Sequence, residues 1–155
     1  MLRISREEYR HRLESLQTSI QHAELDLFIV SELDSIYYLT GSSYEPLERP
    51  FFLLVAPDIP PRLLVPKLEH EHMKEARTIL NGEIHTYWEY PANTERGWPG
   101  RLRDEIGRAR RIGVEPELRH DIAIELSGYS PRVEPLVEEL RLVKSEADSP
   151  KPKSP

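Results

Sequence analysis

The sequence predicts an α/β domain: a mixed β-sheet flanked by helices. Three observations carry that expectation. Short apolar runs rich in β-branched and aromatic residues recur at residues 27–30, 51–55, 62–65, 84–88 and 111–114, the length and composition of buried strands. Segments whose apolar residues repeat at helical spacing lie before, between and after them. The chain has 155 residues, enough for one core and too few for two substantial ones joined by a linker.

The first helix rests on Tyr9, Leu13, Leu16, Ile20 and Ala23, spaced by four, three, four and three so that they stack on one face. Ser5 followed by Glu8 reads as a capping box, and all 14 prolines follow Glu45, so nothing breaks this helix. Leu27-Phe28-Ile29-Val30 is continuous enough to be a strand buried on both faces. After Asp34-Ser35-Ile36-Tyr37-Tyr38-Leu39-Thr40, Gly41 and the following serines signal a turn, and a long loop runs through Tyr44, Pro46 and Arg49. The runs at 51–55 and 62–65 flank a proline-containing connection and predict an antiparallel hairpin.

Met73, Ala76 and Leu80 predict a helix over 69–80 that Asn81-Gly82 ends. A strand over 84–88, a helix over 101–110 packing through Leu102, Ile106 and Ala109, and a strand over 111–114 follow. A short helix over 121–126 and a last one over 135–144, carrying Leu136, Leu140 and Val143, complete the order. The domain is thus expected over 1–147. Residues 148–155 have no apolar side chain besides proline and are expected to be a disordered Pro/Lys/Ser tail.

Composition narrows the function. A formal charge of −6 argues against a broad positive field for gripping nucleic acid or anionic membrane. The absence of cysteine excludes disulfides, thiolate nucleophiles and thiolate metal sites, and suits a reducing compartment. The start has no signal-peptide core, and no segment approaches the roughly 20 apolar residues of a membrane span. A cytoplasmic protein without membrane attachment is therefore expected.

The octet Asp34-Ser35-Ile36-Tyr37-Tyr38-Leu39-Thr40-Gly41, the hairpin ending in Leu64-Val65-Pro66 before a helix, and Arg141-Leu142-Val143-Lys144-Ser145-Glu146 near the end occur in an order that resembles the amino-terminal domain of the creatinase/prolidase/aminopeptidase P family. The resemblance covers Ile4 to Ala147 and implies a ribonuclease-H-like fold. In that family a separate pita-bread domain supplies two aspartates, a histidine and two glutamates that bind a pair of divalent metals. This sequence stops before any such set, and its Ser-Pro-Lys-Pro continuation does not suit a connecting helix. The resemblance thus implies a non-catalytic domain with no catalytic residue, metal or cofactor of its own. Such a domain serves oligomerisation and substrate-pocket completion, in a homo-oligomer or beside a catalytic pita-bread chain. The alternative is a shortened piece of a metal-dependent Xaa-Pro aminopeptidase, prolidase or creatinase-like hydrolase.

Other chemistry finds little support. In Glu69-His70-Glu71-His72, the two histidines lie about 200° apart around a helix and cannot face one ion as an i, i+4 pair can. His11, His22, His85 and His120 are isolated in sequence. No nucleotide-binding glycine motif is present, and Thr40-Gly41-Ser42-Ser43-Tyr44 lacks a nucleophile elbow. Arg101, Arg103, Arg108, Arg110 and Arg111 form a basic stretch, but Asp104 and Glu105 interrupt it and no aromatic residues interleave for base stacking.

The loop at 44–50 is the exception, because a planar guanidinium near an aromatic ring suits a substrate carboxylate. By resemblance, Tyr44 and Arg49 are the leading pocket candidates, with Trp88 and Tyr90 behind them. The bland reading of Arg49 is an ion pair with Glu45 or Glu48, and that of Trp88 and Tyr90 is cover for the core. On sequence alone, losing Arg49 is expected to spare the fold.

Overall fold

The computed structural model describes residues 4–42, 49–73, 83–89 and 95–148. It is a mixed sheet covered by helices on both faces, as the sequence predicts, with six strands where five were expected. The strands are β1 (Leu27–Val30), β2 (Phe52–Val55), β3 (Arg62–Pro66), β4 (Ile84–Tyr87), β5 (Ile112–Val114) and β6 (Arg132–Val133). They lie in the order β4-β3-β2-β1-β5-β6. β2 runs antiparallel to β1 and β3, and the other pairings are parallel. The carboxyl ends of β1, β3, β4 and β5 therefore share one edge of the sheet with the start of β2.

Helix α1 (Arg6–His22) begins as expected, with the Ser5 hydroxyl accepting from the Glu8 amide at 3.1 Å, and buries Tyr9, Leu13, Leu16 and Ile20. The central strands are buried on both sides because their residues alternate between two cores. Phe28, Val30, Leu53, Val55, Leu63 and Val65 face one of them, together with α1, α2 (Leu33–Thr40), Met73 of α3 (His70–Met73), and Leu136 and Val137 of α6 (Leu136–Asp148). Leu27, Ile29, Phe52, Leu54 and Leu64 face the other, against α4 (Trp98–Ile106) and α5 (His120–Leu126). Removing each such side chain from water contributes roughly 1.5–3 kcal/mol.

Several boundaries differ from expectation. The octet after β1 is mostly helix: Ile36 and Leu39 of α2 are fully buried, and Gly41, at φ 79°, ends the helix in the left-handed region that glycine enters without penalty. Helix α4 begins at Trp98, three residues early, and stops at Ile106 because Gly107 leaves the helical conformation at φ 56°. Ala109 accordingly packs on the second core from outside the helix. Helix α6 continues to Asp148, beyond the expected 144. The expected helix over 69–80 falls largely outside the described residues, and so does the expected tail over 148–155 apart from Asp148, which is the last residue of α6.

Candidate functional site

The sheet edge formed by the carboxyl ends of its parallel strands gathers the polar and aromatic groups that could contact a ligand. Parallel strands leave side chains and loops at that edge free to differ between proteins while the sheet holds them in place. There, β1 has an antiparallel neighbour on one side and a parallel one on the other. A cavity of about 530 Å³ opens just beyond β1 and β5, lined by Glu32, Arg49, Pro50, Glu117, Arg119 and Ile122 among others.

Arg49 lines this cavity. Its guanidinium is held by two carboxylates from elsewhere on the edge: Nη2 donates to Glu69 at 2.8 Å, and Nη1 donates to Glu89 at 3.2 Å. Burial opposes the charge, but the two carboxylates outweigh it and hold the Arg49 pKa above its ordinary value. Because Arg49 clasps the ends of β3 and β4 together, it has a structural part that the sequence did not reveal. Beside it, the Tyr87 hydroxyl donates to the Pro50 carbonyl at 2.7 Å and fixes the start of β2.

Trp88 stands just past β4 and is 46% exposed, with the Lys67 ammonium 3.7 Å from its ring centroid. The core cover expected of an aromatic at this strand end falls instead to Tyr87, which is 3% exposed. The strand alternation turns Tyr87 inward and Trp88 outward. Tyr44 and Tyr90, with Glu45 and Glu48, lie outside the described residues. Glu69 serves Arg49, while His70 approaches Glu71 at 3.6 Å. Three of the five arginines in the basic stretch are tied down: Arg101 to Asp104, Arg103 to Glu125 and Arg111 to Asp26.

Next to the cavity lies a feature the sequence reading did not single out. Glu115, directly after β5, has no exposed surface. Its Oε1 accepts from the Ser31 and Glu32 amides at 2.9 and 3.0 Å, and its Oε2 accepts from the Ser35 hydroxyl at 2.5 Å. Glu32, the N-cap residue of α2, makes no side-chain cap bond; Glu115 instead holds the backbone just before the helix, through the Ser31 and Glu32 amides, and the Ser35 hydroxyl inside it. Burial raises the Glu115 pKa to about 7, against the lowering effect of these three donors and with a further upward push from Glu32.

Glu32 is also raised, first by burial and then by Glu117, Glu138 and Asp34, with Arg141 opposing. One carboxylate oxygen each from Glu32, Glu115 and Glu138 lies within 4.8 Å of the others. The trio does not fit the two-aspartate, histidine and two-glutamate set of the dinuclear centre, and protein donors already occupy both oxygens of Glu115. It is a carboxyl cluster. The only sequence signal was a charged residue at the end of an apolar strand run, Val114-Glu115-Pro116, and such residues are common in loops.

Among the described residues, no helix is long and apolar enough to cross a membrane. A Xaa-Pro dipeptidase from Lactobacillus helveticus is 34% identical over 90 residues, covering 54% of this chain. The chain matches only 24% of that relative's length. A Creatine_N superfamily domain of a dipeptidase from Streptococcus thermophilus has a similar fold, with a TM-score of 0.69 at 22% identity, covering 91% of this chain and 99% of that one. The dipeptidase PepE from Mycobacterium ulcerans aligns with a TM-score of 0.75 at 20% identity, over 95% of this chain and 40% of its own. The family model described as the creatinase/prolidase N-terminal domain matches residues 12–143, which take in the whole sheet and most of its flanking helices, and the chain belongs to that family.

Proposed function

We propose that this domain is a non-catalytic part of a Xaa-Pro dipeptidase-type assembly, in which it contributes subunit contacts and one wall of the substrate pocket. It works either as a homo-oligomer or beside a catalytic pita-bread chain, and the two divalent metals belong to the catalytic part. The carrying observation is the placement of Arg49: its guanidinium is oriented by Glu69 and Glu89 where the cavity beyond β1 and β5 opens. A guanidinium whose plane is already fixed loses less freedom on meeting a carboxylate than a swinging side chain does. Tyr44, Trp88 and Tyr90 remain candidates for the same wall. The match to 24% of a Xaa-Pro dipeptidase supports the second reading, that the same domain acts as a piece of one longer hydrolase.

The test is kinetic and uses the domain assembled with its catalytic part. Arg49→Ala is expected to lower kcat/KM by the equivalent of about 1.5–3 kcal/mol, the contribution of a charge-assisted hydrogen bond. Arg49→Lys keeps a cation between Glu69 and Glu89 and so keeps the fold, but cannot reproduce a bidentate fork and is expected to restore only part of the loss. Unchanged kcat/KM in an Arg49→Lys assembly with native melting would remove Arg49 from the pocket.

A further inference from the structure

The carboxyl cluster at Glu32, Glu115 and Glu138 joins three elements that are distant in sequence. Glu32 stands at the N-cap position of α2, Glu115 directly follows β5, and Glu138 lies in the first turn of α6. Carboxylates only accept hydrogen bonds, so a cluster of them needs donors. Glu115 has three, from Ser31, Glu32 and Ser35. Oε2 of Glu138 has none among the described residues, although it is shut off from solvent. Glu138, one carboxylate oxygen of which lies within 4.8 Å of those of Glu32 and Glu115, is therefore one donor short, and a proton held by the cluster supplies a donor.

We propose that the cluster holds one shared proton that fastens the first turn of α6 to the start of α2, and that releasing this proton loosens α6. The inference stands independently of the proposed role in a peptidase assembly. Losing the proton leaves three carboxylates, one oxygen of each within 4.8 Å of the others, and two of the three are already disfavoured by burial. The surrounding charges mostly reinforce this. Asp34 of α2 and Glu117 after β5 add negative charge near Glu32, and Arg141 of α6 pulls the other way. Glu32 also lines the cavity at the sheet edge, which gives the proton a route to solvent. Because the three groups titrate together, the proton belongs to the cluster rather than to one residue.

The raised Glu115 pKa agrees in direction and puts release near neutral pH, at about 7. The test follows the carboxyl carbons of the glutamates in the full chain by NMR from acid to alkaline pH, together with amide hydrogen exchange of α6 corrected for intrinsic rates. A cluster carboxyl is expected to titrate near neutrality, and α6 amides are expected to open on the order of tenfold more readily above that pH than below it, relative to the central strands. Glu138→Gln, which supplies an amide donor without a titrating proton, is expected to abolish the difference in α6. Glu32→Gln gives a second variant away from the fully buried residue.

The proposal is overturned if every glutamate titrates in the ordinary carboxyl range, or if Glu138→Gln leaves the pH dependence of α6 opening unchanged. It is equally overturned if Mg²⁺, Ca²⁺ or Mn²⁺ abolishes the neutral titration and raises the melting temperature of the native chain but not of Glu138→Gln. That outcome makes the missing partner a cation.

Discussion

Gly113 pairs with Phe28 across the β1–β5 ladder and has no room for a side chain. A Cβ there would lie 2.6 Å from Leu25 Cδ1 and 2.8 Å from Phe28 Cδ1, well inside contact distance. Both neighbours are fixed in the core, so neither yields cheaply. Gly113→Ala is expected to lower stability by about 1–3 kcal/mol, read as a lower urea midpoint with unchanged slope; a midpoint equal to native would show that Leu25 repacks freely. Arg49 is a residue of another kind, since removing it leaves Glu69 and Glu89 without the cation that joins them. Arg49→Ala is expected to reduce stability by about 1–2 kcal/mol, more than an exposed pair would, because all three side chains are partly buried. Arg49→Lys is expected to recover most of that in thermal melts. The sequence shows the arginine but not its partners, because Glu69 and Glu89 lie 20 and 40 residues away in the chain.

At the scale of elements, α2 shows how a helix can be started from outside itself. Its N-cap side chain makes no cap bond, and Glu115, directly after β5, accepts from the amides of the two residues before it, Ser31 and Glu32, and from the Ser35 hydroxyl inside its first turn. The pH dependence follows from the direction of the Glu115 shift. Its folded pKa, about 7, lies above the ordinary 4.5, so the folded chain binds the proton more tightly than the unfolded chain. The associated stability is complete below 4.5 and is lost as pH rises through about 7, in a titration that Glu115 shares with the rest of the carboxyl cluster. Ser35 stabilises the charged form, so Ser35→Ala is expected to cost about 1.5–3 kcal/mol at pH values above that transition and less below it. Chemical denaturation on both sides of pH 7 measures the difference, and equal losses would show that Glu115 keeps one charge state throughout. In the sequence, α2 could have been read from Leu33, Ile36 and Leu39 ahead of Gly41, all at helical spacing. The acceptor that starts it could not, since it comes from a residue 80 positions later than Ser35.

At the scale of the whole molecule, the chain is expected to be inactive on its own: purified and supplied with Mn²⁺, Co²⁺ or Zn²⁺, it should not cleave Xaa-Pro peptides, since hydrolysis in the resembling peptidases rests on a dinuclear metal cage. Metal-dependent turnover that copurifies with the chain would overturn this. The fold itself was largely written in local patterns. Leu27–Val30, the hairpin of β2 and β3 and the buried stripe of α1 followed from alternation and helical spacing, because a strand or helix must turn its apolar residues toward whatever core exists. The early end of α4 was also present in the sequence, at Gly107, but apolar spacing continued to Ala109 and hid it. By itself the sequence determined the class of fold and the family. Only the tertiary structure decided that Arg49 is shared with Glu69 and Glu89, that Trp88 faces solvent while Tyr87 enters the core, and that Glu32, Glu115 and Glu138 meet. Periodicity specifies which face of an element is buried, whereas contacts between side chains at the edge of a sheet depend on strand order and direction, which no local pattern encodes.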